Sequence, residues 1–287
     1  MTFPWIKIFE RIESFLKEEP LSRVWIAARN IDSGASFGWD QQGKVRTAST
    51  IKLPILCALY QGVQENKWKL SDQTVLKDSD KAYGSGVLRE FSDGTHIALR
   101  DLAHLMIVVS DNTATNLILN RITADYVNQC LDQWGFTATR SMRKVLSDPD
   151  QPGPDPGYSQ AGKLPENRQY GLGSSSPIEM VELLTKLEKG EIVSPAASKE
   201  ILDILDRQQY KDGIGRRLAL TLRVASKSGA LDALRSDVGI VYSPGGRIAI
   251  AITVDGMSKV DYSADNIGKL LIADLSDQLV QGLAKSQ

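Results

Sequence analysis

The chain has 287 residues, 42% of them hydrophobic and 24% charged, with a formal net charge of −1 at pH 7. This is the balance of a soluble globular protein with ample material for a core, and it offers nothing to attract nucleic acid or another polyanion. No run approaches the roughly 18 apolar residues of a membrane span, and neither the two cysteines (Cys57, Cys130) nor the two histidines (His96, His104) stand at a zinc-binding spacing.

Residues 1–11 lack an apolar core and a small-residue cleavage site, so no signal peptide is expected and the compartment stays open. Trp5, Ile8, Phe9, Ile12, Phe15 and Leu16 then recur at helical spacing and predict a helix over residues 4–18, closed by Pro20. Arg23–Asn30 reads as a strand, Asp32–Ser36 as a turn and Phe37–Asp40 as a returning strand. The stretch Ala48–Leu56 (ASTIKLPIL) begins polar and becomes a helical apolar pattern of Ile51, Ile55, Leu56 and Leu59, so a helix is expected from Ser49 to about residue 66. Leu70–Thr95 is irregular, with Tyr83-Gly-Ser-Gly86 at its centre, and reads as a loop that lines a site or simply covers the surface. Helices are predicted at Ala98–Val109, Thr113–Ile122 and Ala124–Trp134, the first two separated by Ser110-Asp-Asn112. Cys57 and Cys130 fall in apolar helical patterns and read as buried thiols, with their pairing left open.

Asp148–Gly173 holds five prolines and no period, the mark of a functional or disordered loop. Ser176 and Pro177 open the next helix as cap and first residue, and Ala197–Arg207 forms another. Leu222–Ser228, Asp237–Tyr242 and Arg247–Val254 read as strands, the last two joined by the turn Ser243-Pro-Gly-Gly246. A long amphipathic helix, Ala264–Lys285, follows. Strand and helix do not alternate as in a parallel α/β protein. The order predicts an α+β fold: an antiparallel sheet of about five strands flanked by the terminal helices, with an inserted all-helical lobe. The expected organisation is a single domain over 1–287, with a sheet lobe of 1–46 and 213–287, a helical lobe of 47–212, and Ser49 where the lobes meet.

Ser49 and Lys52 lie about one helical turn apart on one face. A hydroxyl there has an amine to take its proton and helix-start N–H groups to favour developing negative charge. A free lysine has a pKa near 10.4, so neutralising it at pH 7 costs roughly 4–5 kcal/mol. The helix start and a second cation, Lys227, both lower that cost. Singly, Ser49-x-x-Lys52, Ser110-Asp-Asn112 and Lys227-Ser-Gly229 are explained by caps and a strand end. Together and in this order, they form the motif set of class A β-lactamases and penicillin-binding proteins.

The chain therefore resembles the class A β-lactamase family, most nearly its β-lactamase-related serine hydrolase branch, from about Val24 to the last helix. Supporting phrases are ASTIKLP (Ala48–Pro54), VVSDNTATN (Val108–Asn116), SSSPIEM (Ser174–Met180) and VGIVYSP (Val238–Pro244). The resemblance implies that Ser49 becomes the acyl-ester, Lys52 accepts its proton and Ser110 relays a proton to the leaving nitrogen. Asn112 would hold the substrate amide, Lys227 and Ser228 would bind a substrate carboxylate, and Tyr83 would border the substrate. Gly229 keeps its strand open to a ligand, and the N–H groups of Ser49 and Ala230 would form the oxyanion hole. Asp111 is expected to be a buried structural acceptor. A small-molecule substrate, no cofactor or metal, and a monomer are expected.

One family feature is missing. Class A enzymes carry a glutamate that positions the deacylating water, and Val145-Leu-Ser-Asp148 has none where the pattern would put it. Glu166 is the first candidate for that base and Asp148 the second. Arg235 and Arg217 are candidates for a carboxylate-holding arginine. The expected function is a serine β-lactamase-like hydrolase that opens the β-lactam ring through an acyl-enzyme on Ser49. The alternative is a penicillin-binding D-Ala peptidase or esterase with slow β-lactam deacylation. A non-catalytic binding module on the same scaffold is the third reading, and the intact first motif argues against it.

Overall fold

The structure is a computed structural model that describes residues 3–145 and 157–284. The chain opens with α1 (Phe3–Glu18), β1 (Arg23–Asn30), β2 (Ser36–Trp39), β3 (Val45–Arg46), a 3-10 turn (Ala48–Ile51) and α2 (Lys52–Gln64). It continues with β4 (Gln73–Val75), β5 (His96–Ala98), α3 (Leu99–Val108), α4 (Asn112–Ile122), α5 (Ala124–Gln133), β6 (Arg140–Ser141), α6 (Gln160–Lys163) and β7 (Gly173–Ser175). It ends with α7 (Pro177–Glu188), α8 (Pro195–Asp206), β8 (Arg223–Leu231), β9 (Leu234–Ser243), β10 (Gly246–Asp255) and α9 (Ile267–Leu283). The architecture is α+β, and the chain divides into two compact units.

The first unit comprises the chain up to Thr50, residues 176–186 and the chain from Tyr210 on. Its sheet runs β2-β1-β10-β9-β8, antiparallel throughout. Every second residue of β10 (Ile248, Ile250, Ile252, Val254) and of β1 (Val24, Ile26, Ala28) joins one buried core with Ile8, Ile12 and Phe15 of α1 and Leu271, Leu275 and Leu279 of α9. The period of two on the strands and of three to four on the helices brings both apolar faces together. Each of the Val, Leu, Ile and Phe side chains contributes about 1.5–3 kcal/mol by leaving water. The β9–β10 hairpin turns at Pro244-Gly245, and Gly246 adopts φ +128°, which only glycine takes without strain. The β8–β9 hairpin turns at Asp232-Ala233, with Leu231 opposite Leu234. That turn holds no glycine or proline, so no local signal extends the expected strands beyond Ser228 or ahead of Asp237. Burial along the strands, rather than turn chemistry, carries them further.

The second unit comprises Ile51–Ser175 and Leu187–Gln209. Its centre is α2, in which Lys52 to Tyr60 are buried without a break. A helix buried on all sides must be enclosed by others, and α3, α4, α5 and α8 pack against it. Cys57 on α2 and Cys130 on α5 are buried free thiols. The stretch expected to be irregular, Leu70–Thr95, contains a short strand, Gln73–Val75, that pairs antiparallel with His96–Ala98 just beyond it. Strands of three residues are too short to show a period. The described part of the proline-rich stretch contains α6 and a 3-10 turn, Pro165–Tyr170. Asp148 lies outside the described residues. No helix among the described residues is long and apolar enough to cross a membrane.

Candidate active site

Lys52 opens α2 and is fully buried. Its Nζ donates to the Ser110 carbonyl at 2.7 Å and to Asn112 Oδ1 at 2.9 Å, and lies 3.2 Å from Ser110 Oγ. A buried ammonium is tolerated only when its donors find acceptors, and these three supply them. Ser110 holds its position at a cost. Its φ is +54°, in the left-handed region, which is worth on the order of 1–3 kcal/mol of strain in a non-glycine residue.

Asp111 fixes that corner as the expected buried acceptor. Its Oδ1 accepts the Ala114 N–H at 2.8 Å and caps α4, and its Oδ2 accepts the N–H groups of Val87 and Leu88 at 2.7 and 2.8 Å. The Tyr83 loop is strapped to the same triplet. Asn112 Nδ2 donates to the Tyr83 carbonyl at 2.8 Å, and the Asn112 N–H to the Ser85 carbonyl at 3.0 Å. Gly86, at φ +106°, passes so close to Asp111 that a Cβ would lie 2.2 Å from Oδ2. Tyr83 itself is 76% exposed, and the Arg89 guanidinium lies 5.6 Å from its ring centre.

Ser49 stands in the 3-10 turn Ala48–Ile51, which runs straight into α2, so the helix expected from Ser49 begins as α-helix only at Lys52. Ala48 before it is buried with φ +47°, a second strained residue next to a reactive type of side chain. Ser49 is half-buried between the buried Ala48 and Thr50. Gly229 on β8 faces this turn. A Cβ there would lie 2.8 Å from the Thr47 carbonyl oxygen and 3.0 Å from the Ser49 nitrogen. Both are backbone atoms, which cannot swing away. Gly229→Ala is therefore expected to displace the Ser49 turn and lower acylation on the order of 10²-fold, read as the second-order rate of covalent labelling by a penicillin. A variant labelled at the wild-type rate would show that the close approach does not matter.

Lys227 on β8 is fully buried, and its Nζ donates to the Ser228 carbonyl at 2.6 Å. Burial pulls its ammonium down to about 7, opposed by the charge of Asp237. Ser228 and Ala230 are half-buried on the same strand. Glu166 lies in the 3-10 turn Pro165–Tyr170 with its side chain exposed. Arg235 is buried and donates to the carbonyls of Leu231, Leu234 and Asp261, and Arg217 pairs with Asp274. Both guanidinium groups thus serve the interior and flank of the first unit. Among the described residues no group of three or more His, Cys, Asp and Glu could hold a metal ion.

One contributor has no motif. Asn116 clamps the backbone of Val145, donating to its carbonyl at 3.2 Å and accepting its N–H at 2.8 Å. Asn116 follows Asn112 by one helical turn on the same face of α4, so the backbone of Val145, itself buried, is gripped by the residue one turn along from the partner of Lys52.

An α+β fold in which a helix-start serine precedes a buried lysine held by a Ser-Asp-Asn corner defines a protein of the β-lactamase/transpeptidase-like class. The chain belongs to the Beta-lactamase enzyme family, whose model matches residues 7–283. Its structure is similar to that of a β-lactamase from Sphaerobacter thermophilus, at 27% identity and a TM-score of 0.83, with 97% of each chain covered. It is also similar to a mutant of PBP-A in its acyl-enzyme complex with penicillin G, at 28% identity and a TM-score of 0.77, with 96% of each chain covered. The β-lactamase BRO-1 of Moraxella catarrhalis is 24% identical over 199 residues, 68% of this chain and 58% of that protein. The chain spans about half the length of the curated relatives it matches.

Proposed function

We propose that this protein is a serine hydrolase of the class A β-lactamase type, acting through an acyl-enzyme on Ser49. Ser49 Oγ attacks the carbonyl carbon of a β-lactam or related acyl compound, and Lys52 in its neutral form takes the hydroxyl proton. The carbonyl oxygen becomes an oxyanion met by the N–H groups of Ser49 and Ala230. The C–N bond then breaks, Ser110 passes a proton to the leaving nitrogen, and the acyl group stays on Ser49 as an ester. Asn112 holds the substrate amide, Tyr83 borders the substrate, and Lys227 with Ser228 takes its carboxylate.

The observation that carries this reading is the fully buried Lys52 amine, three residues beyond Ser49 in one helical run and held by Ser110 and Asn112. A solvated surface lysine would need no such cage. The names of the relatives, two of them β-lactamases, support the substrate class. Ser49→Ala is expected to reduce ring opening of a chromogenic cephalosporin, whether a single burst or repeated turnover, to background while leaving the circular dichroism spectrum intact. Unchanged ring opening in that variant would sink the proposal.

A specific observation favours slow release of the acyl group. Asn116 pins an apolar residue, Val145, beside the Lys52 corner, and Glu166 is exposed in its own turn. In this reading β-lactams acylate Ser49 and remain there, as befits a penicillin-binding peptidase or esterase. The PBP-A mutant, a structural relative, forms an acyl-enzyme complex with penicillin G, which supports the acylation step.

A further inference from the structure

The Tyr83 loop is built as a rigid platform. The Tyr83 and Ser85 carbonyls accept from Asn112, at 2.8 Å from Nδ2 and 3.0 Å from the backbone N–H. The Ala82 N–H donates to Thr113 Oγ1 at 3.0 Å, and the N–H groups of Val87 and Leu88 donate to Asp111 Oδ2. Three consecutive residues thus hold the loop backbone at five points. Leu88, fully buried, anchors the 3-10 turn Leu88–Glu90 that follows. Arg89 stands in the middle of that turn. A side chain on a backbone so fixed gives up less freedom when it meets a ligand.

The Arg89 guanidinium is only partly used. Its Nε donates to Glu90 Oε1 at 2.8 Å, with 37% and 70% of the two side chains exposed. Its central carbon lies 5.6 Å from the centre of the Tyr83 ring, within cation–π range. Among the described residues nothing accepts from its two terminal amino groups. Those groups form the planar fork that matches a carboxylate. An exposed pair with the next residue is worth little, so Glu90 leaves the fork to a ligand. Lys81, at the start of the loop, is already paired with Asp78 at 2.7 Å. In the proposed reading Asn112 holds the substrate amide, and the same side chain binds the Tyr83 carbonyl. What the substrate carries beyond its amide therefore comes to Tyr83 and Arg89. We propose that Arg89 is a specificity-determining residue, which selects acyl compounds that bear a carboxylate on the acyl side chain. The inference rests on the proposed roles of Asn112 and Tyr83.

Benzylpenicillin and carbenicillin provide the test, because they differ only by a carboxylate on the side-chain carbon next to the amide carbonyl. The readout is the ratio of their second-order rates of Ser49 acylation, carbenicillin over benzylpenicillin. That ratio is expected to fall about threefold in Arg89→Gln, and to rise in Glu90→Gln, which frees the guanidinium. Raising the salt from about 0.02 M to about 0.5 M should bring the wild-type ratio down towards that of Arg89→Gln. A ratio in Arg89→Gln equal to that of the wild type would overturn the proposal, as would a lower ratio in Glu90→Gln. If neither penicillin labels the wild type, the functional reading has failed instead. The inference about Arg89 is then decided, as it is if a variant does not fold, by nitrogen NMR of the wild type. The protein is titrated with phenylmalonic acid monoamide, the carbenicillin side chain as a free amide, and with phenylacetamide, its uncharged counterpart. The Arg89 Nε–H signal is assigned through Arg89→Lys. A shift of that signal with the first compound alone supports the proposal. A signal moved by neither, or equally by both, overturns it.

Discussion

Lys52→Met is expected to slow acylation of Ser49 by about 10³-fold, the contribution of a well-placed general base. Methionine keeps the length and the apolar stem but has no lone pair able to take the serine proton. The effect on stability should be much smaller, because two terms oppose. The Ser110 carbonyl and Asn112 Oδ1 lose their donor, at about 1–3 kcal/mol for each acceptor left buried. Against this, the cost of holding a desolvated cation disappears. Stopped-flow labelling with a penicillin measures the rate, and thermal unfolding by circular dichroism checks the fold. A folded Lys52→Met variant that acylates at the wild-type rate would mean that another group receives the proton.

Val145→Glu should act on the second half of the reaction. Asn116 would still hold the backbone at this position, since its partners there are the N–H and the carbonyl. The new carboxylate would be carried by a backbone gripped one turn along α4 from Asn112, the partner of Lys52, and it can order and deprotonate a water there. The lifetime of the penicillin adduct is expected to fall by at least about 10²-fold, the lower bound for general base catalysis. Burial should raise the pKa of the new carboxyl, so the gain should grow with pH through the mildly acidic range. A folded variant whose adduct lasts as long as in the wild type would remove Val145 from the account.

The parts of this molecule legible in its sequence are those where one residue type in one local context carries the information. The terminal helices, β1, β10 and the α2 core show their apolar periods directly, and Ser243-Pro-Gly-Gly246 announces its hairpin. The structure draws Lys52, Ser110 and Asn112 together because a helix start and a break between two helices are local features that motifs can record. The parts that stayed hidden depend on partners remote in sequence. Asn116 reads as one more polar residue on a helix until the backbone it grips is seen 29 residues away. The extension of β8 to Leu231 is fixed by pairing within a buried sheet, which no turn residue signals.

The most direct test of acyl-enzyme chemistry at Ser49 is intact-protein mass spectrometry over time after mixing with benzylpenicillin, followed by peptide mapping, with Ser49→Ala alongside. The account predicts a mass gain of one intact penicillin on the peptide that contains Ser49, long-lived in the wild type and absent from the variant. An adduct on another residue, or an equal adduct in Ser49→Ala, would contradict it.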